Sequence, residues 1–104
     1  MVLDASNHNL ELLSSQTDAE LIQACQAGHQ GAIAVLYDRY SGLVYRLALR
    51  MLGNAQEAED LTQEIFLNLW RGTTYRPDRG RLSSFLITLT RSRAIDRIRS
   101  RSSH

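Results

Sequence analysis

Asn54-Ala55-Gln56-Glu57-Ala58-Glu59-Asp60-Leu61-Thr62-Gln63-Glu64-Ile65-Phe66-Leu67-Asn68-Leu69-Trp70-Arg71 is the stretch on which the fold turns. At about 100° per residue, Ala58, Leu61, Ile65 and Leu69 fall on one face with Phe66 on its flank, an apolar stripe that needs a core to enter. Asn54 stands where an N-cap belongs, with Glu57 three places on. The opposite face holds Asp60, Gln63, Glu64, Leu67 and Arg71, with Trp70 at its margin. A leucine inside a polar rim suits a protein-docking surface; a solvated acidic helix with one stray leucine explains the pattern equally well.

Upstream, helix punctuation continues. Gly53 closes a long apolar period that begins near Gln30 and carries Ile33, Leu36, Tyr37, Tyr40, Val44, Leu47 and Met51, with Ser41-Gly42 a candidate kink. Before it, Thr17-Asp18-Ala19-Glu20 forms a capping box that opens a shorter helix bearing Leu21, Ile22 and Cys25 and stopping at Gly28. Residues 1–16 are polar and unpatterned apart from Leu10, Leu12 and Leu13, and are expected to be a mobile tail. Downstream, residues 72–81 contain the single proline and the last glycine and form a loop. A final helix starts near Leu82 or Ser83 and ends near Arg101, leaving residues 102–104 as a tail. The chain has no strand candidate and no internal repeat. The expected fold is therefore all-α, a compact bundle of about four helices over residues 17–101 with a basic loop before the last helix.

Charge is divided along the chain. Residues 1–70 carry nine carboxylates and three arginines, whereas residues 71–104 carry nine arginines against Asp78 and Asp96, so the formal net charge of +1 conceals a dipole. All twelve basic residues are arginine, which stacks on bases and forks onto phosphate where lysine offers only a point charge. In the basic third these arginines alternate with aromatic and hydroxyl groups: Tyr75, Arg76, Arg79 and Arg81, then Ser83, Ser84, Phe85 and Thr88, then Arg91, Ser92, Arg93, Arg97 and Arg101. Such interleaving suits a nucleic-acid strand, with Tyr75 and Phe85 able to hold unstacked bases at roughly 1–3 kcal/mol each. Arg93, Arg97 and Arg101 recur at i, i+4 and make a ridge able to follow a phosphate backbone. Phe85 is equally well explained as core beside Leu82, Leu86 and Leu89. Asp96, three residues from both Arg93 and Arg99, is expected to orient arginines by ion pairing.

Other classes are poorly supported. Cys25 lies at helical spacing among apolar neighbours and fits a small buried hydrophobe better than a reactive thiol. His8, His29 and His104 have no ligand spacing, so no metal site and no cofactor are expected. Gly28-His29-Gln30-Gly31 is a helix terminator and not a phosphate cradle, and no catalytic constellation is present, so the chain is not expected to be an enzyme. No apolar run approaches the ~18 residues that span a bilayer, and the N-terminus lacks a secretory pattern, which places the expected site of action in the cytoplasm.

Taken in order, Asp18-Ala19-Glu20-Leu21-Ile22, Leu36-Tyr37-Asp38-Arg39-Tyr40, Val44-Tyr45-Arg46-Leu47-Ala48, the block from Ala58 to Trp70 and the block from Arg91 to Arg99 resemble the promoter-binding second region of bacterial sigma factors, in particular the extracytoplasmic-function group. The resemblance covers residues 18–101. It implies a docking helix for the clamp coiled coil of the largest RNA polymerase subunit, through Asp60, Gln63, Glu64, Leu67 and Trp70 with Asp60 and Gln63 at its heart. It also implies that the loop and last helix read the promoter minus-ten element as opened single-stranded DNA, and that an anti-sigma protein covers the polymerase-facing surface. Two departures are visible. Phe85 stands where many relatives have tryptophan, and Ser92 where many have asparagine, which leaves the base preference open. The family's second domain, which reads the minus-thirty-five element, has no counterpart here, so a fragment or a one-domain variant is expected. From residues alone the competing reading is a helical protein-interaction domain whose basic end meets an acidic regulator.

Overall fold

The computed structural model describes residues 12–72 and 75–102, and the expectations for residues 1–11 and 103–104 lie outside it. Among the described residues all regular structure is helical: α1 (Asp18–Gln26), α2 (Gln30–Leu52), α3 (Ala55–Trp70), a 3-10 turn (Pro77–Arg79) and α4 (Leu82–Ser102). The all-α expectation holds, with four principal helices and the irregular basic segment before the last. α2 is the spine, because α1, α3 and α4 all pack against it, while α3 also touches α1 and α4.

Local chemistry sets the boundaries. The Thr17 hydroxyl accepts from the Glu20 amide at 3.2 Å and the Glu20 carboxylate accepts from the Thr17 amide at 2.9 Å, completing the capping box and satisfying two donors that α1 cannot. Those hydrogen bonds favour the ionised carboxylate and lower the Glu20 pKa. At the other end Gly28, with φ +92°, lets its own amide reach the Cys25 carbonyl and that of His29 reach the Ala24 carbonyl, both at 3.0 Å. α2 runs unbroken through Ser41 and Gly42. Gly53, in the left-handed region, ends it. Asn54 then caps α3 by accepting from the Glu57 amide at 2.9 Å. The Glu57 carboxylate does not return to close a second box; it is taken by Arg101 of α4.

The core is one apolar cluster. Leu21, Ile22 and Cys25 of α1 meet Leu36, Val44 and Ala48 of α2, the α3 stripe Ala58, Leu61, Ile65, Phe66 and Leu69, and Leu82, Leu86 and Ala94 of α4. Thr62 and Thr90 are buried, and each hydroxyl donates to the carbonyl four residues back, at 2.8 and 2.6 Å. Cys25 is buried, and desolvation raises its thiol pKa, as befits a small core residue. The last residues of the segment expected to be a tail form a helical turn at 12–14. Arg39 secures it, donating to the carbonyls of Ser14 and Gln16 at 2.9 and 2.7 Å and pairing with Asp18 at 2.9 Å. Asp18 also accepts a hydrogen bond from the Tyr40 hydroxyl.

Candidate functional site

Two surfaces gather the residues singled out by the sequence. The first lies along α3. Its buried stripe fixes the helix against α2 and thereby turns Asp60, Gln63 and Leu67 to solvent; Leu67 remains 48% exposed. Asp60 accepts from the Gln56 side chain at 3.1 Å, one turn earlier. Trp70 is half-buried and joins Leu67, Gln63 and Phe66 with Gln30, Ile33 and Tyr37 of α2 around an open, mostly apolar groove of about 490 Å³. Tyr37 stands at its edge with its ring 5.0 Å from that of Phe66 at an interplanar angle of 63°. The α2 side of this groove was not foreseen. Ile33 and Tyr37 belong to an apolar period that predicts core, and only the crossing of α2 over α3 decides that Tyr37 stops at the rim.

Glu64 shares a concavity with Asp60, Gln63, Leu67 and the bordering Arg93. Its carboxylate faces α4, pairing with Arg97 at 2.9 Å and with Arg93 at 3.7 Å. Arg97 also donates to the Glu57 carbonyl at 3.5 Å, and Arg101 binds the Glu57 carboxylate while donating to the Leu52 carbonyl at 3.3 Å. The arginine ridge at i, i+4 therefore exists, but its guanidinium groups engage the flank of α3. Arg93 turns to Glu64, so the pairing expected between Arg93 and Asp96 is not made.

The second surface is built where the basic segment meets the start of α4. Tyr75, Arg76, Arg79, Gly80, Arg81, Ser84, Phe85 and Thr88 line a concavity of about 290 Å³. Phe85 is half-buried and shows part of its ring to this space, whereas Tyr75 is only 8% exposed. Their rings lie 5.2 Å apart at 53°. The two aromatic residues expected to share one role are thus divided, with Tyr75 behind and Phe85 in front. Ser83 is half-buried and outside the lining; Arg91 and Ser92 are exposed further along α4, with Ser92 continuing the line of Phe85 and Thr88 at helical spacing. Three arginines around one aromatic face, with two hydroxyls at hand, supply what a phosphate and an unstacked base need. No helix of the described residues is long and apolar enough to cross a membrane.

An all-α domain in which an acidic helix with an exposed apolar edge is followed by a basic loop and a second long helix matches a known family. Residues 36–104 fit the model of sigma-70 region 2, and the chain belongs to that family. Its curated relatives place it in the ECF, or extracytoplasmic-function, type. A protein of Mycolicibacterium vanbaalenii named ECF RNA polymerase sigma factor SigK is 37% identical over 100 residues, covering 95% of this chain and 50% of its own length. Its namesake in Mycobacterium bovis (strain BCG) is 39% identical over 89 residues, 84% of this chain and 46% of its own. A third, from Mycobacterium sp. (strain KMS), is 41% identical over 70 residues, 66% of this chain and 36% of its own. The chain spans about half the length, or less, of these relatives. No solved structure matches it significantly.

Proposed function

We propose that this domain serves transcription initiation by bringing RNA polymerase and an opened promoter strand to two separate surfaces of one small bundle. The observation that carries this reading is the separation of the two surfaces: an acidic, apolar-centred edge on α3 and an arginine-lined pocket around Phe85. In this reading Asp60, Gln63, Leu67 and Trp70 meet the clamp coiled coil of the largest polymerase subunit, and the α2 side of the groove, Ile33 and Tyr37, extends that contact. Arg76, Arg79, Arg81, Ser84, Phe85, Thr88, Arg91 and Ser92 meet the minus-ten element as single-stranded DNA. Arg93, Arg97 and Arg101 hold the α3–α4 junction and add only general positive potential. An anti-sigma protein would compete for the polymerase-facing edge.

Energetics assign the melting step to the polymerase. Stacking in duplex DNA is worth about 1.4 kcal/mol per step, and one aromatic platform returns only roughly 1–3 kcal/mol. A pocket that offers one partly exposed ring, that of Phe85, therefore captures an opened strand far better than it opens one.

The test uses Asp60→Arg with Leu67→Ala. Both side chains are exposed, so the thermal midpoint should move little, while association with core polymerase should be lost in a pull-down. Retained association removes the docking assignment. On the DNA side, a labelled minus-ten-like single strand should bind better than its scrambled form. Salt-sensitive but sequence-blind binding would favour the reading of a protein-interaction domain with a basic end.

A further inference from the structure

Tyr75 closes the basic segment on itself. Its hydroxyl donates to the Gly80 carbonyl at 2.9 Å, bridging the ends of the short stretch that contains Pro77 and the 3-10 turn, and its ring backs that of Phe85. Gly80 has φ +152° and ψ 179°, a backbone state that side-chain-bearing residues rarely adopt, yet the space its missing Cβ would enter is open. Glycine is thus required there for the direction of the chain and not for room. The same holds for the tyrosine in a different sense. Phenylalanine would fill the same place in the core, so packing does not require the hydroxyl, which makes the bond to Gly80. Burial, then the charge of Asp18, raises the Tyr75 pKa and keeps the phenol a donor.

From this geometry we infer that Tyr75 is the positioning residue of the pocket, its hydroxyl fixing Gly80 and the flanking Arg79 and Arg81 around the Phe85 ring so that one unstacked nucleobase and a neighbouring phosphate are taken together. The inference rests on the proposed single-strand reading. Phe85 supplies the face, the arginines supply the anion contacts, and Tyr75 touches neither base nor phosphate. Without its hydroxyl the arginines keep their charge but lose their fixed placement relative to the ring, so attraction to the backbone survives and the contribution of the base falls.

Probes that isolate the base are 12-nucleotide strands in which every position is abasic except one central adenine, cytosine, guanine or thymine, together with the wholly abasic strand. The 104-residue chain should bind its preferred base-bearing strand roughly 5- to 150-fold tighter than the abasic one, the range of a single stacking contact. Tyr75→Phe should keep the helical circular dichroism, the affinity for the abasic strand and the salt slope, while losing most of that base-dependent gain. Gly80→Ala perturbs the same contact from the exposed side of the loop and should do likewise without touching the core. A wild-type chain that discriminates, beside variants that discriminate equally, overturns the role of Tyr75 alone. Indifference of the wild-type chain to the base overturns base capture and this inference with it.

Discussion

Arg97→Gln separates a structural cation from a phosphate contact. In the structure its guanidinium lies 2.9 Å from the Glu64 carboxylate, with the two side chains 29% and 43% exposed, and it donates a second, longer bond to the Glu57 carbonyl at 3.5 Å. An ion pair at a fully exposed surface contributes roughly 0.2–1 kcal/mol. Partial shelter and the carbonyl contact place this one toward the upper end, at about 0.5–1 kcal/mol of coupling. For a domain of this size each kcal/mol moves the thermal midpoint by roughly 4–8 °C. Arg97→Gln should therefore lower it by roughly 2–8 °C. Glu64→Gln should act in the same direction, and the double variant should fall short of the sum of the two singles, with part of the coupling retained by Arg93 at 3.7 Å.

Single-strand binding is measured on the same variants. Each lost phosphate contact should flatten the slope of log affinity against log salt by about 0.7. With its guanidinium held by α3, Arg97→Gln should change that slope by much less, whereas Arg79→Gln or Arg91→Gln should approach the full value. A coupling energy near zero between Glu64 and Arg97, together with a slope loss of ~0.7 for Arg97→Gln, would show that the arginine leaves α3 for phosphate and would refute the assignment.

Other consequences follow from single contacts. Thr17→Ala removes the hydroxyl that accepts from the Glu20 amide, while the Thr17 amide can still donate to the Glu20 carboxylate, and should cost about 1 kcal/mol, measured by urea unfolding. Tyr40 has its phenol pKa pushed up to about 12, first by burial and then by its bond to Asp18, against an ordinary value of 10. Because the folded pKa is the higher one, its stabilising contribution is complete below pH 10 and is lost as pH rises toward 12, so Tyr40→Phe should make alkaline unfolding shallower in that window; an unchanged profile would contradict the contact. Cys25 should resist alkylation in the native state at pH 8 and react on unfolding, since burial both shields the thiol and disfavours the thiolate; rapid native labelling would place it elsewhere.

What the sequence could disclose was what is local. The Thr17 box, the Gly28 terminator, the Asn54 cap and the α3 stripe depend on residues within four places of one another, and the structure reproduces each. What the sequence left open lies where a second element decides. Spacing shows that Arg93, Arg97 and Arg101 share a face, but whether that face meets solvent depends on carboxylates that, for Arg97 and Arg101, lie 33 and 44 residues away. Tyr75 lies in a segment without periodicity, so nothing in its neighbours tells which side of the loop is inside. The family resemblance, by contrast, requires only the order of blocks and was legible without any of these contacts.

The position of those carboxylates explains a further feature of the sequence. After Thr90 the inward side of α4 offers only Ala94 as a buried apolar residue, with Ile98 partly buried, too little greasy surface to seat three turns of helix by itself. On α3, Glu57 and Glu64 are seven residues apart, about 10 Å along the helix, and the partner arginines on α4 are spaced to meet them in the reverse order: Arg101 on Glu57, Arg97 and Arg93 on Glu64. The two helices are thus held antiparallel by complementary charge where hydrophobic burial runs out. Part of the charge dipole along the chain is neutralised inside the domain by Glu57 and Glu64, while Arg76, Arg79 and Arg81 stand around the Phe85 pocket. On the proposed reading, a pocket of that size takes one base of a short strand once the duplex is open.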